Sequence, residues 1–218
     1  MSRLIDAIKE YQNGFKAKVP QEIQEKMKVA TKELEDASIS KNALKVGDFA
    51  KEIKLPNAVG KEISLFDTLD NNEFVIVNFY RGEWCPYCNL ELKALQSYND
   101  EFKKLGASLI AVSPQSTDSS LSTKEKNELA FEVLSDANNI IAKDYGLVFS
   151  LADELKPIYL SFGIDIPSKN QENSYEIPMP ATYLINKKKE IVFSFIDEDY
   201  TKRCEPQDII DILKSLQK

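Results

Sequence analysis

Residues 73–113 read EFVIVNFYRGEWCPYCNLELKALQSYNDEFKKLGASLIAVS, and this stretch decides the fold. EFVIVNFY at 73–80 is a near-continuous apolar run broken only by Asn78, the pattern of a strand buried on both faces. Leu90, Leu92, Leu95, Tyr98 and Phe102 then recur at helical spacing across 85–105, and Gly106 stands where a left-handed glycine closes a helix. SLIAVS at 108–113 is a second buried strand. Strand, helix and strand in this order make a βαβ unit, with parallel strands and a right-handed crossover.

Downstream, a helix is expected over 118–129, capped by Asp118, Ser119 or Ser120. Phe131 to Leu134 reads as a short strand and 137–145 as another helix. Residues 147–178 carry Pro157, Pro167, Pro178 and the polar run SKNQENS, and read as an insertion with a short helix of its own. ATYLIN (181–186) and EIVFSFI (190–196) form an antiparallel hairpin around a solvated Lys187–Lys189 turn. Ile209, Ile212, Leu213 and Leu216 line one face of a final helix, with Pro206 in its first turn. Upstream, Phe49, Ile53, Leu55 and Ile63 lie among turn signals that suit short strands, and Ser38 to Gly47 reads as a polar linker. Leu4, Ile8, Tyr11 and Phe15, then Ile23, Met27, Ala30 and Leu34 beyond Pro20, give two amphipathic helices. They either pack on the core or offer a dimer or partner surface. The expected fold is α/β and thioredoxin-like, a mixed central sheet flanked by helices over 41–218, after a helical hairpin extension over 1–40.

The chain has 218 residues, a formal net charge of −7, three cysteines and no histidine. The missing histidine excludes Ser-His-Asp and Cys-His nucleophile–base pairs, HExxH and mixed Cys/His zinc sites, and an imidazole pH switch. Chemistry therefore falls to Cys, Lys, Tyr, carboxylates or a bound cofactor. The acidic balance argues against a nucleic-acid partner. The apolar run at 74–80 falls far short of the roughly 20 residues of a membrane span. The opening MSRLIDAIKEYQ is charged every few positions and does not read as a secretory signal. Three cysteines in that setting imply a reducing, cytoplasmic compartment and catalytic rather than framework thiols. Of 28 basic residues only Arg3, Arg81 and Arg203 are arginine, and Arg81 borders the motif that matters.

That motif is Arg81-Gly82-Glu83-Trp84-Cys85-Pro86-Tyr87-Cys88, set between the apolar strand and the long helix. Residues i and i+3 share a helix face with Cβ atoms roughly 5–6 Å apart, so Cys85 and Cys88 can bridge with little strain. Pro86 suits the first helical position. A helix N-terminus stabilises a thiolate, and Arg81 adds positive charge nearby. The alternatives are two inert buried thiols or half a zinc site, for which only the distant Cys204 remains as a ligand. Cys204 reads as an incidental small residue or a second resolving thiol. Trp84 either shields the site or packs, and Tyr80 and Tyr87 are rim or core aromatics.

The blocks FYRGEWCPYCNLELKAL, SLIAVSPQS, VLSDANNIIAKDYGLVF and MPATYLIN, in this order, resemble the peroxiredoxin-like (AhpC/TSA, redoxin) family over about 45–216. The resemblance implies a thioredoxin-like fold and peroxide reduction by a cysteine thiolate, without metal or organic cofactor. The family places Thr or Ser three residues before its peroxidatic cysteine and Glu three after. Cys88 and Glu91 match, with Cys85 in the Thr/Ser place. The thioredoxin pattern makes Cys85 the attacking thiol instead. The family's arginine before the late strand is absent, and Met179-Pro180 holds its place as in thioredoxins, which implies a cis Pro180 facing the CxxC.

These features support a thiol-dependent peroxidase, with Cys85 and Cys88 as its redox pair and Arg81, Trp84 and Pro180 in support. Its substrate is hydrogen peroxide or an alkyl hydroperoxide, a thioredoxin-type reductant recycles it, and a homodimer is compatible with the N-terminal helices. The alternatives are a thioredoxin-like oxidoreductase acting on protein disulfides, and a non-catalytic scaffold that docks partners through the hairpin.

Overall fold

In the computed structural model, which describes residues 3–217, the apolar run becomes the central strand β3 (Phe74–Phe79), with Val75, Ile76, Val77 and Phe79 shut off from solvent. Met1, Ser2 and Lys218, the outermost residues of the predicted segments, lie outside the described residues. A five-stranded sheet runs in the order β5 (Glu132–Ser135), β4 (Ala107–Ser113), β3, β8 (Ala181–Asn186), β9 (Ile191–Ile196). β3, β4 and β5 are parallel, and β8 and β9 are antiparallel to their neighbours. The sheet is therefore mixed, as the order of patterns predicts.

Side chains alternate across the sheet with period two. Ile76 and Tyr80 enter one core with Leu109, Ala111 and Leu184. That core is covered by Leu92, Leu95 and Phe102 of α4 (Pro86–Lys104) and by Ile209, Ile210 and Leu213 of α9 (Pro206–Leu216). Val75, Val77 and Phe79 enter the opposite core, under Leu65 and Leu69 of α3 (Leu65–Asp70) and Ala142 of α6 (Ile140–Asp144). Leu105 caps α4 and Gly106 follows at φ +72°. β1 (Lys54–Pro56) and β2 (Glu62–Ser64) form a small antiparallel pair beside this core.

The N-terminal helices α1 (Leu4–Lys18) and α2 (Gln21–Ala37) pack on the body of the molecule. Leu4 and Ile8 are buried in the α4–α9 core. Ile23, Met27 and Ala30 pack against a third cluster that contains Leu151, Ile158 and Tyr159. α1 has no local cap. Its first N–H groups, from Leu4 and Ile5, donate to the Glu205 carboxylate at 3.2 and 2.6 Å, which meets the unsatisfied donors of the helix start and opposes its dipole.

Three expectations need correction. The helix after β4, α5 (Thr117–Lys126), is capped by Ser116 and not by Asp118, Ser119 or Ser120. Ser116 has the extended backbone of a cap, and its Oγ accepts the Ser119 N–H at 3.2 Å. The insertion holds two short helices, α7 (Lys156–Ser161) and α8 (Ile166–Asn170), flanked by the paired strands β6 (Val148–Ser150) and β7 (Glu176–Pro178). Its prolines sit at the first turns of the helices and in the strand, so they start elements rather than break them. Finally, the peptide before Pro180 is trans, there being no cis bond among the described residues. The Met179 N–H donates to the Leu147 carbonyl at 2.8 Å, so the chain extends the β6–β7 ladder straight into β8, and the ordinary trans bond serves that path.

Candidate active site

The motif leaves the end of β3, where Phe79 pairs with Ala181, and Pro180 is buried one residue beyond that pair. Gly82 adopts φ +148°. A Cβ there would lie 2.5 Å from Trp84 Nε1 and 3.0 Å from Gln115 Oε1, so only glycine fits without displacing the loop. The Glu83 N–H donates to the Gln115 side chain, and Glu83 pairs with Lys169 of α8 at 3.0 Å. The Asn89 amide donates to the carbonyls of Glu83 (2.7 Å) and Cys85 (3.1 Å). Gly82→Ala should therefore destabilise the fold by about 1–3 kcal/mol, read as a lowered thermal midpoint; an unchanged midpoint would mean the loop shifts freely.

Cys85 is the N-cap of α4, Pro86 its first residue, and Cys88 lies in its first turn. Both thiols are free and fully buried. Burial by itself pushes the Cys85 pKa up, but the hydrogen bond from the Cys88 thiol and the charges of Arg81 and Arg203 bring it well below the ordinary range. Burial and the neighbouring Cys85 thiolate drive Cys88 the other way. The two shifts run in opposite directions, which favours the negative charge on Cys85 and the proton on Cys88.

Two arginines supply the positive charge. Arg81, 3% exposed, lies over the rings of Tyr200, Trp84 and Tyr159 at 4.1, 4.9 and 6.0 Å from their centroids. It has no carboxylate partner among the described residues. Trp84 packs edge-on to Tyr159 and under Arg81, so it both packs and borders the site. Arg203 comes from the loop before α9. Its Nη2 is 3.5 Å from the Cys88 sulfur, and its Nε lies 2.9 Å from a Glu91 carboxylate oxygen. Glu91, one turn beyond Cys88, is buried beside Asn78 of β3. Burial raises its pKa to about 7, against the opposing pull of Arg203 and Asn78.

Sequence reasoning singled out Arg81 and missed Arg203, naming it only among the three arginines. The same signal applied to both, since each is an arginine in a chain that otherwise uses lysine. Arg203 reaches Cys88 from the other end of the chain. Cys204 is buried, and burial together with Glu91 drives its pKa far up, so it stays a protonated thiol.

Above the motif is a cavity of 440 Å³, bordered by Arg81, Trp84, Pro86 and Tyr87 and by residues of α1, α7 and α8. Tyr11 of α1 packs edge-on to Tyr87 at 5.1 Å. The N-terminal hairpin is thus part of the wall of the site.

The model of the AhpC/TSA family matches residues 46–205, nearly three quarters of the chain. The chain belongs to the AhpC/TSA family. Among the relatives of this AhpC/TSA protein, peroxiredoxin Bcp of Escherichia coli K12 is 30% identical over 106 residues, 49% of this chain and 67% of that one. The chloroplastic peroxiredoxin Q of Suaeda salsa is 31% identical over 101 residues, 46% of each chain. The chain spans about two thirds of the length of the Bcp relatives, 65% for a homologue from Buchnera aphidicola. The crystal structure of peroxidoxin BcpB from Mycobacterium tuberculosis superposes with a TM-score of 0.63 at 18% identity, covering 80% of this chain and 99% of that one. The fold is that of the peroxiredoxins, a thioredoxin-like fold. Among the described residues no helix is long and apolar enough to cross a membrane.

Proposed function

We propose that this AhpC/TSA protein is a thiol-dependent peroxidase in which Cys88 attacks the peroxide and Cys85 resolves it. The observation that carries this reading is the set of groups around Cys88: Arg203 at 3.5 Å, held by Glu91 at 2.9 Å, with the Cys85 thiolate as hydrogen-bond acceptor. Cys85 stands where the family has Thr or Ser. In a chain without histidine it also does the work of a base.

The steps balance as follows. Cys85 takes the Cys88 proton as the Cys88 sulfur attacks the distal peroxide oxygen. The O–O bond breaks, Cys88 becomes a sulfenic acid, and the departing alkoxide receives the proton from Cys85 and leaves as alcohol. Arg203 and Arg81 offset the charge that develops on the leaving oxygen. The regenerated Cys85 thiolate then attacks the sulfenic sulfur, expelling hydroxide and closing the Cys85–Cys88 disulfide. A thioredoxin-type dithiol returns both thiols by exchange. Neither metal nor organic cofactor enters this sequence. Oxidation of NADPH, coupled through thioredoxin and its reductase and dependent on added hydroperoxide, tests the reading. A protein that turns over no peroxide sinks it.

One observation favours the second reading, a disulfide oxidoreductase with Cys85 attacking: the lowered pKa belongs to Cys85. That reading wins if the protein reduces insulin disulfides and consumes neither hydrogen peroxide nor an alkyl hydroperoxide. The cytoplasmic setting and the homodimer stay with the proposal, and the solution mass of the full chain tests the latter.

Glu91 supplies the pH response that histidine does not. Between its ordinary value of 4.5 and about 7, the folded state keeps a proton that the unfolded chain has lost. Stability from this group is complete below pH 4.5 and declines by about 3 kcal/mol as pH rises to 7. Glu91→Gln should flatten that decline in denaturant titrations. It should also move thiolate formation, followed by ultraviolet absorbance, to lower pH, because a like charge is gone. An unmoved thiolate midpoint would separate Glu91 from the cysteine pair.

A further inference from the structure

We propose that the aromatic cavity over the CxxC is the binding chamber for hydroperoxides with a bulky apolar body, and that Phe15 and Phe162 set this preference over hydrogen peroxide. The inference rests on the peroxidase reading and deepens it to a substrate class. The 440 Å³ volume suits an organic molecule of about ten or more heavy atoms and far exceeds what hydrogen peroxide fills. Tyr11, Phe15, Trp84, Tyr159, Phe162 and Tyr200 supply rings around it, and no carboxylate lines it. Water gains little on such walls, whereas an aryl or branched alkyl group removes apolar surface from solvent on both sides.

The chamber also has a polar end. Arg81 borders it, buried, without a carboxylate partner among the described residues and with its Nε unbonded. A peroxide oxygen placed there meets the one wall cation without a carboxylate partner among the described residues, since Lys169 on the same wall is engaged with Glu83. Trp84 and Pro86, the residues on either side of the buried Cys85, complete this end, so a peroxide group held there lies against the wall that covers the thiols as its body fills the rings. Phe15 of α1 and Phe162 after α7 meet edge-on across the cavity, with centroids 6.3 Å apart. Phe162 is 39% exposed, an apolar ring at the solvent side of the chamber. Two segments added around the strand–helix–strand core, the N-terminal hairpin and the insertion, thus build the pocket together.

The test uses the full chain and its Phe15→Ala and Phe162→Ala variants, with cumene hydroperoxide and hydrogen peroxide as substrates. The wild type is expected to favour cumene hydroperoxide in kcat/KM. Each variant should lower the ratio of the two kcat/KM values by about 10-fold, through KM for cumene hydroperoxide, as expected for one lost ring contact. A second readout needs no turnover. The chain has a single tryptophan, and Trp84 lines the chamber, so saturable change of its fluorescence by cumyl alcohol, the unreactive product, reports occupancy. Binding should weaken about 10-fold in each variant while far-ultraviolet circular dichroism stays native. Turnover of both peroxides with an unchanged ratio overturns the chamber and leaves the peroxidase reading standing. Saturable alcohol binding with no turnover of either peroxide overturns the peroxidase reading, and with it the substrate assignment.

Discussion

Cys88→Ser will abolish peroxide consumption, while Cys85→Ser will still consume one equivalent and stop. The asymmetry follows from the geometry. The Cys88 sulfur is the one touched by Arg203 and placed one helical turn before Glu91, whereas Cys85 is the thiol whose pKa is lowered. Without Cys88 there is no nucleophile beside those groups. Without Cys85 the nucleophile remains but loses its base, so the single turnover should be slower by roughly 10²–10⁴-fold. The remaining thiol, Cys204, is buried with its pKa driven up, so it does not resolve the sulfenic acid. Mass spectrometry with a sulfenic-acid trap should find one adduct on Cys88 in Cys85→Ser and none on Cys85 in Cys88→Ser. The reverse pattern would assign the attack to Cys85 and favour the disulfide-exchange reading.

The second large effect is on stability. Arg203→Met should cost about 3 kcal/mol near pH 9, two units above the Glu91 pKa of about 7, because it leaves the buried Glu91 carboxylate without its cation. The cost has a definite pH dependence. Glu91 is neutral below its raised pKa of about 7, and without Arg203 that pKa climbs further. The loss should therefore be small in acid and grow as pH rises. Pairing the change with Glu91→Met should restore most of the stability while leaving the peroxidase inactive, since the positioning of charge at Cys88 is not recovered. A double variant no more stable than Arg203→Met would show that the arginine stabilises the loop by other contacts, such as its bonds to the carbonyls of Tyr200 and Lys202.

How much of this was legible in the sequence differs from element to element. EFVIVNFY became β3 and Gly106 the end of α4, because a doubly buried strand and a left-handed glycine are local patterns. The cap of α5 moved to Ser116 because several neighbouring side chains offered the same oxygen, and only the entry angle of the helix chose between them. The insertion was recognisable by its prolines, yet its second helix was not, since five residues carry no helical period. The trans bond at Pro180 went against the resemblance. It depends on the strand that delivers the chain to that point rather than on the residues themselves.

The sequence by itself determined the βαβ unit and the placing of two thiols one helical turn apart at the start of a helix. Both are set by interactions within a few residues, where spacing and geometry are nearly the same thing. The tertiary structure alone decided the electrostatics. Arg203 reaches a cysteine 115 positions earlier, Glu205 binds the start of α1 about 200 positions away, and helices from both sides of the core enclose the cavity. Charge acts through space and desolvation acts through packing, so neither leaves a mark at a fixed spacing along the chain. The absence of histidine is the one electrostatic fact the sequence stated outright. The structure supplies what takes its place: a thiol whose pKa is lowered, two buried arginines and a carboxyl whose pKa burial raises to about 7.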